Sequence, residues 1–173
     1  MGKHHRVFQE IPKWLPPSRD HEHQIELILG SNPPNKMPYR YHHQQKGEIE
    51  NMVQDMLDLG IIQPRRCSFS ASVVTVRRKD NAWRMCRDYI DLHKITINDK
   101  YLIPNIDELI DELHGVAYFT KLYLKSGYHQ IRLREDIPKT TFRTHEGHYE
   151  LLVIDLGSTN VLSTFQNLMN IIF

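Results

Sequence analysis

Cysteine is scarce: the 173-residue chain carries two, Cys67 and Cys86, with no ligand-like spacing. Two such thiols build neither a disulfide framework nor a zinc site, and their scarcity points to a reducing, intracellular setting, cytoplasmic by default. No apolar run approaches the length of a membrane span, and the N-terminus lacks the charged-then-apolar plan of a secretory signal, so no membrane partner is expected. Net charge is nearly absent as well. The 22 Lys and Arg against 21 Asp and Glu leave +1, so bulk charge neither demands nor excludes a nucleic-acid partner, and local clusters must decide. The Gly-rich phosphate loop, the GxSxG elbow and HExxH are all missing. Eleven histidines are many, but His4-His5, His21 with His23, and His42-His43 stand in polar, loop-like sequence without the Cys or carboxylate spacing that completes a metal site.

What is present is a globular composition, 40% hydrophobic and 25% charged, long enough for one sizeable domain. Residues 1–37 read as an extended lead-in, because Pro12, Pro16-Pro17 and Pro33-Pro34 exclude long helices; one strand is expected from Gln24 to Leu29, stopped by Gly30. A helix is predicted from Gln44 to Leu59, with Ile49, Met52, Val53 and Met56 on one stripe and Gly60 as terminator. Ser72–Val76 and Trp83–Tyr89 form a predicted hairpin with a basic tip. After Pro104, Ile106, Leu109, Ile110 and Leu113 line the apolar face of a second helix ended by Gly115. Alternation then predicts a strand pair, Tyr118–Leu124 and Tyr128–Leu133, around Gly127, and a further hairpin around His145-Glu146-Gly147. A last helix carries Val161, Leu162, Phe165, Leu168, Met169 and Ile172, with Ser158 or Thr159 placed to cap it. Strands joined by antiparallel hairpins and interleaved with amphipathic helices define an α+β domain.

The tip Arg77-Arg78-Lys79, with Arg84 shortly after, is the strongest basic cluster. Cations on a hairpin suit phosphate, which needs reach and charge, although by charge alone a solvated turn is the plainer reading. Trp83, Tyr89 and Tyr128 could stack on bases, but such residues are more often core. The acidic residues between Ile106 and Leu113 have the spacing of a helix's solvent face. Tyr123 is the unexplained residue: a phenol at a predicted strand end, leading into a glycine turn where catalytic groups are often mounted.

As a string of motifs, the chain resembles the reverse transcriptase segment of gypsy-type (Metaviridae) long-terminal-repeat retrotransposon Gag-Pol polyproteins. The matching words, in family order, are Leu15-Pro-Pro-Ser-Arg-Asp-His21, Pro38-Tyr-Arg-Tyr41, Gly60-Ile-Ile-Gln-Pro64, Trp83-Arg-Met-Cys-Arg-Asp-Tyr89, Ile103-Pro104 with Ile106-Asp-Glu-Leu109, Ser126-Gly-Tyr-His-Gln-Ile131, Lys139-Thr-Thr-Phe-Arg-Thr144 and Ser163-Thr-Phe-Gln166. The resemblance implies the fingers and an incomplete palm of a right-hand polymerase, with an antiparallel sheet and amphipathic helices. Fingers would occupy about 38–97 and 131–157, and palm about 98–130 and 158–173. It implies RNA/DNA primer–template and dNTP as partners, and a virus-like particle as the setting of the intact polyprotein. Arg78, Lys79 and Arg84 would meet the nucleotide's phosphates, Tyr128 would lie beneath its sugar, and Leu156 and Gly157 would belong to the pocket floor.

The same resemblance assigns position 123 to the first of three aspartates that hold two magnesium ions for nucleotidyl transfer. Magnesium demands hard anionic oxygen in compact octahedral geometry, and the Tyr123 phenol is neutral and bulky. The other two aspartates would lie past Phe173. Between Ile154 and Leu162, Asp155, Leu156, Val161 and Leu162 replace the family's usual proline, aromatic residue and Ala-Pro pair, and Arg87 stands where an apolar strand residue is usual. The expectation is therefore a partial, degenerate reverse transcriptase (RNA-directed DNA polymerase, a nucleotidyltransferase), inactive as this chain, with no intact catalytic residue and no cofactor of its own; Mg2+ belongs to the intact family. The alternatives are a non-catalytic nucleic-acid-binding or interaction remnant and a structural subunit of an intact copy, with the oligomeric state open.

Overall fold

A computed structural model describes residues 15–19, 22–100, 106–120, 123–124 and 126–172. The first regular element is α1 (His43–Asp58), whose Ile49 and Val53 are buried. Its Gln45 carboxamide ties both ends of a local bracket: Oε1 accepts from the His42 N–H (3.0 Å) and Nε2 donates to Thr75 Oγ1 (3.1 Å). The helix closes as predicted at Gly60, which has φ +66°. The Gly60 N–H donates to Leu57 O and the Ile61 N–H to Met56 O, the paired bonds of a Schellman ending. That turn delivers Ile61 and Ile62 straight into the core.

Five strands follow in two groups: β1 (Ile62–Pro64), β2 (Ala71–Arg77) and β3 (Trp83–Asp88), then β4 (Phe142–Arg143) and β5 (His148–Leu151). They form one sheet in the order β1-β5-β4-β2-β3. Three junctions are antiparallel; β2 against β4 is parallel, with Ala71 opposite Phe142 and Ser72 opposite Arg143. The α+β class holds, and this parallel junction is the one departure from the antiparallel sheet expected. Because β2 and β4 run the same way, the β2–β3 and β4–β5 turns lie at the same end of the sheet. Between the strand groups come α2 (Ile90–Ile95) and α3 (Ile106–Glu112), and α4 (Val161–Ile172) completes the chain.

The core gathers Ile49 and Val53 of α1, Val73, Phe142 and Leu151 of the sheet, Ile131, Val153 and Ile154 of the connections, and Val161 and Leu168 of α4. The described part of the lead-in wraps on this body, as its prolines suggest. Gln24–Leu29 is not a strand, however: only His23 and Leu27 form isolated bridges, to Leu133 and Thr96. Ile25 between them is buried, its N–H donating to an Asp136 carboxylate and its carbonyl accepting from Lys139 Nζ.

Two further expectations fail. Among the described residues of 118–133 there is no strand pair: Tyr118, Phe119 and Tyr123 are exposed, and Tyr128–Gln130 is a short 3₁₀ turn. Lys121, Leu122 and Lys125 lie outside the described residues, as does Pro104. Nor does Ser158 or Thr159 begin α4. Asn160 immediately precedes it at φ +65°, its carbonyl accepting the Thr164 N–H (3.0 Å). Its side chain is engaged elsewhere, with Nδ2 donating to Ile97 O (2.8 Å) and Oδ1 accepting the Asp99 N–H (2.9 Å).

Candidate nucleic-acid interface

The β2–β3 hairpin has a buried root and an open tip. Ala71, Ser72 and Val73 are buried, whereas Val74 and Val76 are exposed, so from mid-strand onward the ribbon leaves the body. Its turn is closed by the Arg78 N–H to Ala82 O (2.8 Å) and the Asn81 N–H to Arg78 O (3.0 Å), with Asn81 at φ +64°. Arg78 and Asp80 stand 3.9 Å apart, both more than half exposed, a contact worth little in water. Lys79 and Arg84 are exposed, and their side chains make no hydrogen bond or ion pair with other described residues. Arg77 lies over the Trp83 ring at 5.7 Å, which stiffens the ribbon just below the tip. The predicted cations therefore sit together on a rigid stem with little internal neutralisation.

The hairpin's root meets the predicted floor. Leu156 and Gly157 are exposed; the Gly157 carbonyl accepts from His93 Nε2 (2.8 Å), and a side chain at Gly157 would sit 3.6 Å from the Tyr89 ring and 3.7 Å from Arg87 O. Tyr89 is buried, its hydroxyl donating to Thr140 O (3.0 Å), and burial raises its pKa well above the ordinary phenol value. Sequence reasoning missed the joint between these parts. The Arg87 guanidinium, 6% exposed, donates to Asp155 Oδ2 (3.0 Å) and to Met56 Sδ (2.9 Å), and lies 4.7 Å over the Phe142 ring. Charges of opposite sign at two positions where apolar residues are usual were the available signal.

Tyr128 stacks on Phe165 of α4, ring centroids 4.6 Å apart. Gly127 before it is packed tightly: a Cβ there would meet Leu124 Cβ at 3.1 Å and the Phe165 ring at 3.4 Å. His129 feels both members of the ion pair. Burial lowers its pKa, Asp155 opposes and Arg87 adds to the lowering, which places this turn beside the Arg87–Asp155 joint. So Tyr128, Leu156 and Gly157 share one neighbourhood with the base of the hairpin that carries Arg78, Lys79 and Arg84. Tyr123 does not sit on a strand; it is 82% exposed in an irregular segment. Among the described residues, the one group of His and carboxylate side chains that could gather a cation is Glu50, His145 and Glu146, with ligand atoms within 4.8 Å of one another. It belongs to α1 and the β4–β5 turn and includes no residue of the 118–128 segment. No helix among the described residues is long and apolar enough to cross a membrane.

A projecting basic hairpin rooted beside an aromatic turn and a glycine-containing segment brings together the charge and the ring chemistry that a phosphate-bearing ligand with a stackable face would use. Comparison with known proteins makes the class specific. A family profile described as "Reverse transcriptase (RNA-dependent DNA polymerase)" matches residues 76–173, and the chain belongs to that family. It is similar to the retrovirus-related Pol polyprotein from transposon 297 of Drosophila melanogaster, 41% identical over 129 residues, covering 71% of this chain and 12% of that polyprotein. It is also similar to an RNA-directed DNA polymerase homolog of Oenothera berteroana, 52% identical over 88 residues, covering 50% of this chain and 62% of that relative. In fold it matches the prototype foamy virus protease-reverse transcriptase at a TM-score of 0.73 and 20% identity, over 91% of this chain and 22% of the other. The chain is thus a partial reverse transcriptase domain of retrotransposon Pol type, spanning under two thirds of these relatives.

Proposed function

We propose that the chain is the fingers and first part of the palm of a gypsy-type retrotransposon reverse transcriptase, with fingers at about 38–97 and 131–157, palm at about 98–130 and 158–173, and residues 1–37 as lead-in. The observation that carries this reading is the buried root and cationic tip of the β2–β3 hairpin, joined through Arg87 and Asp155 to the floor segment. In it, Arg78, Lys79 and Arg84 grip the phosphates of an incoming dNTP, Tyr128 supports the sugar, and Leu156 and Gly157 line the floor. The RNA/DNA primer–template is the macromolecular partner, and the cytoplasm is the compartment.

The intact family uses Mg2+, and position 123 does not fit it. A neutral, 82% exposed phenol supplies no anionic oxygen, and the one cation-competent group among the described residues lies on other elements. The chain as it stands therefore binds primer–template without extending it. Fluorescence anisotropy with a primer–template duplex tests the binding: Arg78→Ala/Lys79→Ala should weaken it and flatten its salt dependence, by about 0.9 in log–log slope for each phosphate no longer neutralised. Unchanged affinity and slope would remove the hairpin from the interface. Primer extension tests the metal assignment. Joined to the downstream remainder of an intact relative, the Tyr123→Asp hybrid should extend with magnesium and the Tyr123 hybrid should not; extension by the latter would refute the role given to position 123.

A second reading, a nucleic-acid-binding remnant with no ancestral chemistry left, is favoured by Tyr123 and by the altered segment from Asp155 to Leu162. It predicts the same binding, with both hybrids inert.

A further inference from the structure

At the hairpin's end of the sheet, but across it, lies a second concave surface of about 720 Å³ between the end of β1 and the β4–β5 turn. Its lining includes Arg65, Arg66, Glu146, Gly147, His148 and Tyr149. The Arg65 N–H donates to His148 O (3.1 Å), which fixes the segment after β1 against β5. Three donors converge there with little to satisfy them. Arg66 is exposed and its side chain makes no hydrogen bond or ion pair with other described residues, and the Tyr149 hydroxyl makes none either. Arg65, half exposed, reaches only a 3.7 Å contact with Glu150 Oε2, while Glu150 Oε1 is already held by Gln63 Nε2 at 2.6 Å. Arg143 Nε donates to His148 Nε2, bringing a third guanidinium to the groove's edge. Burial, Arg143 and Arg66 all lower the His148 pKa, so the imidazole is neutral at pH 7 and the guanidiniums provide the positive charge. Glu146 is the one carboxylate lining the groove. Gly147 keeps the floor open: a Cβ there would stand 3.2 Å from the Tyr149 phenol oxygen.

We propose that this groove binds the phosphodiester backbone of a nucleic-acid strand, a second contact separate from the β2–β3 hairpin. Forked guanidiniums suit phosphate oxygens, a phenol adds a neutral donor, and an open groove suits a continuous strand better than a compact nucleotide. Since the β4–β5 and β2–β3 turns share one end of the sheet, one strand can run past both. The inference rests on the nucleic-acid reading proposed above and assigns it a further surface.

The test uses the full chain, a labelled single-stranded RNA and a DNA of the same sequence, followed by anisotropy across a salt series. Side-chain NMR of His148 is recorded in parallel. Arg65→Ala/Arg66→Ala should weaken both strands several-fold and reduce the log–log salt slope by about 1.4, two phosphates at about 0.7 each. His148 signals should move when strand is added to the wild type, and also in Arg78→Ala/Lys79→Ala. Near-equal effects on RNA and DNA identify the backbone as the ligand; a weakening confined to RNA would transfer the contact to the 2′-hydroxyl and overturn the backbone assignment. A wild-type slope in the Arg65/Arg66 variant, with His148 unmoved, overturns the groove while leaving the hairpin reading intact. If neither strand binds the wild type, the nucleic-acid reading fails, and the inference with it. Inorganic pyrophosphate then separates the causes: a shift at His148 keeps an anion site without a strand, and no shift removes the site altogether.

Discussion

Asp155→Ala should destabilise the chain more than Arg87→Met, and replacing both should be nearly harmless. The reason is the asymmetry of the pair: Arg87 is 6% exposed and Asp155 16%. Removing Asp155 strands a buried guanidinium whose Nε already lacks a partner, leaving only the Met56 sulfur and the Phe142 ring. Breaking a buried pair in this way costs about 3–5 kcal/mol, and the partial opening at Asp155 sets the expectation at about 3. Arg87→Met keeps most of the packed stem and deletes the demanding charge, while Asp155 can rotate toward solvent, so about 1–2 kcal/mol is expected; part of this comes from removing the guanidinium from the Phe142 ring. Arg87→Met with Asp155→Leu should lie within about 1 kcal/mol of the wild type, since well-packed apolar replacements of buried pairs are often neutral or stabilising. The assay is urea unfolding with linear extrapolation, read by tryptophan fluorescence with Trp83 on β3 as reporter. With Asp155→Leu added as the matching single change, so that the cycle closes, and costing about as much as Asp155→Ala, the two singles should sum to about 3 kcal/mol or more beyond the double. Additive effects, or a destabilisation below about 1 kcal/mol for Asp155→Ala, would refute the claim that this pair joins the hairpin root to the floor.

Burial lowers the His23 pKa from 6.5 to about 4, with Asp136 partly opposing. The unfolded chain therefore takes up a proton that the folded one resists: the His23 contribution to stability is full above pH 6.5 and falls by about 3 kcal/mol as pH drops toward 4, and His23→Gln should remove this part of the decline while leaving that of His129 and His148, read by urea unfolding at several pH values. Asn160→Ala should cost about 2–4 kcal/mol, removing two hydrogen bonds and straining a left-handed backbone, whereas Asn160→Gly should cost about 1–2 because only the bonds go. Equal thermal shifts for the two Asn160 variants would show that backbone conformation is not part of its role.

The elements legible in the sequence are those whose determinants are local. Ile49 and Val53 recur at helical spacing and Gly60 supplies the left-handed ending, so α1 needed no tertiary information. Residues 71–88 alternate and pivot on an Asp-Asn turn, and the hairpin follows. The three-residue β1 and the six-residue α2 have too few positions to display a period. Alternation in Tyr118–Leu124 misled for a different reason. A strand needs a partner for its backbone as well as a pattern of side chains, and no such ladder exists among the described residues there. Asn160 displaced the predicted Ser or Thr cap because its amide reaches the backbone of both Ile97 and Asp99. Of the candidate site, the hairpin cations could be read directly. Their relation to Tyr128 and the floor depends on packing between residues tens of positions apart.

Arg87 and Asp155 also change how the departures from the family pattern are weighed. As separate positions they are two independent changes, a charge in a strand and a charge in place of a proline, and each adds to the case for decay. In the folded chain they are partners at 3.0 Å, in a place where the guanidinium alone would be costly. They therefore count as one coupled change, compatible with a folded and selected intermediate in which the pair replaced an apolar contact. Position 123 is a different case, because an exposed phenol on an irregular segment supplies no anionic oxygen in place of a carboxylate. The proposed loss of catalysis thus rests on Tyr123, and neither the fold nor the proposed phosphate-binding surfaces include that residue. Binding without extension is therefore the outcome the proposed function predicts, and anisotropy beside primer extension on the same chain checks it.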